Sequence, residues 1–469
     1  VTGVTRDGRF VPEVVEGSGG APSIETAPFE RGDHSELARR LVRRLRDGTE
    51  SLLHADGGFY RYDSARGVYD RVDDEDAREI VASFAGSPMR DSKRNLSVDE
   101  SDVRGALRLA VTFVVAEGRR QKSPRSFDGY RAGVACRNGF VVVEGGKVSV
   151  LPHSPLHLAR HALPYDYDPS TSRPMLDQFF ADVFADATDG DEVNRTALLS
   201  EFLGACLVGD ATKYQRCLVL WGREGGNGKS QFLDVCRSLF PEDAVASLAP
   251  QNWGEKFSRH MLVGKMANFV DEVPARDISS SDTFKAVVDG QSIKSERKNR
   301  DPYSAKMTAG HIFNMNKLPA SSDVTPAFFR RFLVCPFECD MLNSEKHVPD
   351  IGKLIGEKEG PGILAWAVEG AARRQRRSGY TLSSRGRYIF RMWHAEQDVL
   401  MAFLVSIDAG TSWGARELHR VCVDAGLTTK NETSFGRALA ELSDPTDPGR
   451  LFDRGRGEEG NWYRRTSTR

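Results

Sequence analysis

Leu218-Val-Leu-Trp-Gly-Arg-Glu-Gly-Gly-Asn-Gly-Lys-Ser230, near the middle of the chain, decides the fold. A short apolar run enters a glycine-rich loop that closes on Gly228, Lys229 and Ser230. An amphipathic pattern follows, with Phe232, Leu233, Cys236 and Leu239 on one helical face and Pro241 as its stop. The expected order is strand, phosphate loop, helix. Glycines let successive backbone N–H groups curl around phosphate oxygens, and the N-terminus of the next helix adds partial positive charge. Gly225, Gly226, Asn227, Gly228, Lys229, Ser230 and Gln231 are therefore the expected cradle for ATP. Lys229 would reach the β- and γ-phosphates, and the Ser230 hydroxyl would bind Mg²⁺. The spacing departs from Gly-x-x-x-x-Gly-Lys-Ser, which requires glycine at position 223; Arg223 stands there and Gly222 falls one residue early. The loop either holds one extra residue or turns on Gly225.

Chemistry continues downstream. Lys265-Met-Ala-Asn-Phe-Val-Asp-Glu272 reads as a buried strand ending in two acids. Asp271 is the expected holder of the Mg²⁺ water shell, and Glu272 the group that polarises the attacking water. Met307-Thr-Ala-Gly-His-Ile-Phe-Asn-Met-Asn-Lys-Leu-Pro319 is a second apolar strand, ending in Asn316. An uncharged amide there can hydrogen-bond the γ-phosphate or the water without competing for the metal. Phe328-Phe-Arg-Arg-Phe-Leu-Val-Cys-Pro-Phe337 places Arg330 and Arg331 before a third strand. A guanidinium reaching a neighbouring subunit's γ-phosphate stabilises transition-state charge. Ion pairing within the chain is the alternative for one of the two.

In order, Gly-Gly-Asn-Gly-Lys-Ser, strand-Asp-Glu, Asp289-Gly-Gln-Ser-Ile-Lys-Ser-Glu-Arg-Lys298, strand-Asn-x-x-Pro and Arg-Arg-Phe resemble the superfamily 3 helicases. The likeness is strongest to the C-terminal motor of phage and plasmid primase-helicases and their poxvirus relatives. Arg137-Asn-Gly-Phe140, Leu163-Pro-Tyr-Asp-Tyr-Asp-Pro169 and Leu203-Gly-Ala-Cys-Leu207 resemble the region upstream of that motor. The resemblance spans residues 35–340 and weakens beyond. It implies an AAA+ ATPase that forms a hexameric ring and unwinds DNA, usually 3′ to 5′. The segment between the acid pair and the Asn strand would project as a hairpin into the channel. Lys298, with Lys294, Arg297 and Arg300, would grip the phosphate backbone. No primase catalytic segment is visible before the motor, so primase activity is not expected.

Composition fits this picture without dictating it. The chain has 469 residues, enough for two to four domains, and its hydrophobic share of 39% can bury real cores. No apolar run reaches membrane-spanning length, and the first residues lack signal-peptide order. Seven scattered cysteines point to reduced thiols in a cytoplasm, that of a bacterial host. Cys335 and Cys339 are close, but no second Cys/His pair accompanies them, so no metal site is expected there. Net charge is −1, which excludes a globally basic nucleic-acid binder. Basicity is local: from Lys285 to Arg331 nine Lys/Arg stand against four acids.

The expected class is α/β, with an AAA+ P-loop ATPase core, an N-terminal α+β region and a C-terminal winged-helix-like domain. The expected boundaries are a flexible tail over 1–27, an α+β domain over 28–175, a helical collar over 176–212, the ATPase over 213–345, a helical lid over 346–384 and the winged-helix-like domain over 385–469. Within the N-terminal region, helices are expected over 35–45, 74–84 and 99–115, with hairpins at 58–69 and 139–151. In the last domain a helix from Ser434, with Lys430 and Arg437, would enter the major groove, and Arg454 and Arg456 on a wing would contact phosphate. The expected function is an ATP-dependent DNA helicase of a phage or mobile element, with other replication proteins among its expected partners. Two rivals stand beside it: an origin-binding initiator in which ATP controls assembly, and a loader acting on protein partners.

Overall fold

The structure is a computed structural model that describes residues 27–49, 51–90, 92–121, 126–127, 129–278, 281–296, 302–319, 321, 323, 325–445, 450–457 and 460–466. The expected tail, apart from Ala27, lies outside the described residues, as do Arg297, Lys298 and Arg300. The chain divides into two compact units, one of residues 1–48 with 72–123 and one of residues 49–71 with 124–469.

The smaller unit is helical: α1 (His34–Arg46), α2 (Asp74–Ala82) and α3 (Glu100–Gln121). Asp33 opens α1 by accepting from Glu36 N at 2.9 Å, and Leu37, Ala38, Leu41, Val42 and Leu45 form its buried stripe. Arg40 is buried as well. Its guanidinium lies 3.6 Å from the Phe29 ring centre and donates to Pro28 O.

The larger unit begins with two antiparallel three-stranded sheets, β1 (Leu52–Ala55), β2 (Gly58–Asp63) and β3 (Val68–Arg71), then β4 (Gly133–Cys136), β5 (Gly139–Glu144) and β6 (Lys147–Leu151). The β5–β6 turn is Gly145-Gly146, at φ +58° and +77°, a pair of left-handed positions that suits the twist of a two-residue hairpin. Next come α4 (Pro174–Val183) and α5 (Asp191–Val208).

A five-stranded sheet follows, made of β7 (Cys217–Trp221), β8 (Val245–Ala246), β9 (Ala267–Val270), β12 (Gly310–Met315) and β13 (Phe332–Pro336). All neighbours are parallel, in the order β13-β7-β12-β9-β8, so the chain is α/β. The strands of 4 residues or more are buried throughout, which explains why they read as continuous apolar runs. Alternate residues of β7 serve opposite faces. Leu218 and Leu220 pack with α5, α6 (Lys229–Leu239) and α10 (Ile351–Arg377), whereas Cys217, Val219 and Trp221 join Trp253, Phe284 and Trp393.

Around the sheet lie α7 (Lys256–Arg259), α8 (Ser281–Val288), the antiparallel ribbon β10 (Ser292–Ser295) and β11 (Tyr303–Lys306), α9 (Pro326–Phe329) and α11 (Ser384–Gln397). α5 and α10 touch backbone to backbone: a Cβ on Gly204 would lie 2.0 Å from Ala367 O. The chain closes with α12 (Val399–Ser406), β14 (Ser412–Gly414), α13 (Ala415–Asp424), α14 (Glu432–Glu441), β15 (Phe452–Gly457) and β16 (Gly460–Arg465). Its sheet has the order β14-β16-β15, and Leu404, Leu418, Phe435, Leu439, Phe452 and Tyr463 fill its core. Among the described residues no helix is long and apolar enough to cross a membrane.

Candidate nucleotide-binding site

Because β7, β9, β12 and β13 run parallel, the segments that leave their carboxyl ends converge on one edge of the sheet. A cavity of about 720 Å³ opens there. Its lining contains every residue expected to cradle phosphate, Gly225 to Gln231, together with Asp271, Glu272 and Asn316. Three strands separated by long stretches of sequence thus deliver one constellation.

The loop resolves the spacing question. Gly222 acts as its first glycine: a Cβ there would lie 2.1 Å from Asn227 Nδ2 and 2.3 Å from Phe337 O. Left-handed backbone occurs at Gly226 (φ +75°) and Gly228 (φ +90°), not at Gly225, so the loop carries one extra residue, with Arg223 and Glu224 exposed. Asn227 Nδ2 pins the loop by donating to Glu224 O at 3.0 Å and Phe337 O at 2.8 Å. Lys229 is buried, and its Nζ donates to Asn227 Oδ1 at 2.7 Å, Glu224 O at 3.1 Å and Gly222 O at 3.2 Å. Burial pushes its pKa down to about 8.

Two contributors were not visible in the sequence reading. Asn314 Nδ2 donates to Ser230 Oγ at 3.2 Å, fixing that hydroxyl at the start of α6. The available signal was an amide at a buried position of an otherwise mostly apolar strand. Arg237, on the last turn of α6, grips Asp271 with both terminal nitrogens, one of them at 3.1 Å. Burial pushes the carboxyl of nearby Asp234 up, against the opposing pull of Arg237. Glu272 and Asn316 are exposed on the cavity wall. Phe179, Val183, Met341 and Leu342 add an apolar part to the lining, Val183 packed against Gly228 and Leu342 against Gly226, that no motif announced.

The arginine pair is not part of this cavity. Arg331 is buried and paired with Asp289, Nε to Oδ1 at 2.9 Å and Nη2 to Oδ2 at 2.6 Å. Arg330 is exposed and donates to Gln215 Oε1 at 2.8 Å. The basic positions lie elsewhere too. Lys294 is exposed on β10, Lys430 precedes α14, Arg437 is exposed on α14, and Arg454 and Arg456 are exposed on β15. Among the described residues no cluster of three or more His, Cys, Asp or Glu forms a metal-binding group.

Comparison with known proteins gives two family matches. Residues 38–185 match "D5 N terminal like". Residues 220–331, which carry the loop, the acid pair and Asn316, match a family of unknown function, DUF5906. No curated protein matches in sequence. The fold is similar to "The A form apo structure of NrS-1 C terminal region-CTR" (13% identity, TM-score 0.45, covering 91% of this chain and 98% of that one). It is similar too to "The apo structure of NrS-1 C terminal region (305-718)" (12% identity, TM-score 0.42, covering 91% and 98%). The chain is therefore similar to the D5 N terminal like family through its first part and to DUF5906 across the segment that builds the cavity.

Proposed function

We propose that this chain is an ATP-dependent DNA helicase of phage or mobile-element replication, an AAA+ motor that works as a ring with ATP hydrolysed between subunits. One observation carries the reading: the phosphate loop, the acid pair and Asn316 line a single cavity at the carboxyl edge of a parallel sheet. The D5 N terminal like match and the β10–β11 ribbon, which lies in sequence between the acid pair and Asn316, support it.

The roles follow from position. Nucleotide phosphates would replace the three protein oxygens around Lys229 Nζ, and the loop's N–H groups would take the remaining phosphate oxygens. Ser230 Oγ and the Asp271 carboxylate supply the hard oxygens that fit Mg²⁺, which would neutralise phosphate charge when bound. Arg237 holds Asp271 in position, so its pull on that carboxylate sets how freely the oxygens can turn inward. Glu272 would orient the attacking water, and Asn316 would hold the γ-phosphate. Arg330, exposed where Arg331 is committed to Asp289, is the arginine that would reach a neighbouring subunit.

A second reading, an origin-binding initiator, is favoured by the exposed cations Lys430, Arg437, Arg454 and Arg456 on the C-terminal module. That module's helices and three-stranded sheet suit a winged helix. A strand-displacement assay on a forked duplex separates the two. ATP-dependent unwinding, lost in Lys229→Ala, is the expected result; specific duplex binding with no unwinding would favour the initiator.

A further inference from the structure

The smaller compact unit carries charge that the motor reading does not use. α1 has five arginines and α3 four, and neither helix has a lysine. The acids on these two helices are already engaged. Arg40 donates to Glu36 at 3.2 Å, His34 Nε2 lies 3.1 Å from Asp102, Arg46 pairs with Glu117, and Arg78 with Glu100. Arg39, Arg43, Arg108, Arg119 and Arg120 are exposed, and among the described residues none of these five side chains is paired with a carboxylate.

Helical spacing gathers them. On α3, Val103, Ala106, Ala110 and Val114 are buried, and Arg108, Thr112 and Arg119 stand exposed on the opposite side. α1 runs beside α3 in the same direction, His34 meeting Asp102 at their starts and Arg46 meeting Glu117 at their ends. Arg39 lies over the Phe113 ring, 5.7 Å from its centre, so the exposed sides of the two helices join there. Arg43 follows one turn on. Arg108 and Arg119 are about 16 Å apart along the helix, close to the rise of roughly five base pairs of duplex DNA. A guanidinium is planar, permanently charged and able to offer two N–H groups at once, which suits phosphate. The competing occupant is an acidic protein surface, and by charge the same unit of a second copy offers α2. Most of the acids there are spent: Asp73 caps the helix, Asp74 has a partner and Glu75 lies 3.7 Å from Arg78. Asp76 and Glu79 remain, two acids against five arginines, so the balance favours a polyanion.

We infer that the α1–α3 face is a sequence-independent seat for duplex DNA, its arginines gripping phosphates. This rests on the reading of the chain as a DNA-handling protein, but the face takes no part in hydrolysis, so seat and motor fail separately. The test uses the full chain without nucleotide and a blunt-ended DNA duplex, with affinity read by fluorescence anisotropy over a salt series. Arg39→Gln, Arg43→Gln, Arg108→Gln and Arg119→Gln together should weaken binding by roughly tenfold or more on any sequence. They should also cut the slope of log affinity against log salt by roughly three to four, at about 0.9 per phosphate contact. Arg→Lys at the same four positions should keep most of that slope, and ATP hydrolysis without DNA should not change in either variant. A glutamine variant that keeps wild-type affinity and slope overturns the seat, and so does a lysine variant that loses both. If the glutamine variant and Asp76→Lys with Glu79→Lys each sediment as smaller particles while duplex affinity holds, the face belongs to contacts between copies instead.

Discussion

Lys229 is a cation held by neutral oxygens in a dry loop, and its chemistry follows from that. Its pKa of about 8 lies below the ordinary 10.5 because burial removes water that favours the charged form. Phosphates restore a reason to be charged, so they raise the pKa of the bound state. Above pH 8, ATP binding must then take up a proton, and affinity should fall as pH rises from 8 to 10. Calorimetry at pH 8.5 in buffers of different ionisation enthalpy should report net proton uptake that vanishes at pH 6.5. Equal affinity from pH 7 to 9.5 would refute this account of the lysine. The two arginines make the opposite point about legibility. Adjacent guanidinium groups were readable from sequence as a pair, but their division of labour depends on Asp289, 42 residues away and buried against only one of them. Arg331→Ala should cost about 3–5 kcal/mol in urea unfolding, because it strands a buried carboxylate. Arg330→Ala should stay within roughly 0.5 kcal/mol.

At the scale of elements, α4 depends on a partner far along the chain. Its N-terminus has no side-chain cap of its own. Glu359, at the kink of α10 beside Pro361, accepts from Met175 N at 2.8 Å and Leu176 N at 3.0 Å. The carboxylate satisfies two orphan donors and meets the positive end of the helix. Because α4 carries Phe179 and Val183 into the cavity wall, Glu359→Ala should lower stability by about 2 kcal/mol and weaken ATP binding, with Glu359→Gln intermediate in both. Unchanged thermal melting in the alanine variant would show that the cap is idle. Such long-range capping leaves no trace in local sequence. Local signals fared unevenly. The helical collar expected over 176–212 is broken between Val183 and Asp191, where Asp189 and Gly190 both take left-handed backbone. The Asp-Gly turn signal was there, but apolar periodicity on both sides masked it. β14 escaped notice because Ser412–Gly414 is too short to show alternation. The hairpins at 139–151 and 58–69 were legible because paired glycines or an Asp-to-Gly turn separate their apolar strands.

At the scale of the molecule, the polar half of the cavity was readable because each group stands at the end of an apolar strand, where spacing reports function. The apolar half was not, since Phe179, Met341 and Leu342 look like any core residues until the fold turns them toward the loop. Nor could the sequence show that the cavity contains no arginine from the pair. That observation leaves the site short of the transition-state cation the motor reading requires, and Arg330 stands exposed to supply it elsewhere. A head-to-tail interface, which closes into a ring, would bring Arg330 of one subunit to the γ-phosphate of the next. Glu272→Gln and Arg330→Ala should each abolish DNA-stimulated hydrolysis alone. In an equal mixture, random assembly places an intact Glu272 beside a neighbour's intact Arg330 at roughly a quarter of interfaces, so turnover should recover to about a quarter of wild type. If both groups instead served the same subunit's nucleotide, no mixing could rebuild a complete site, and activity would stay at the level of the inactive parents.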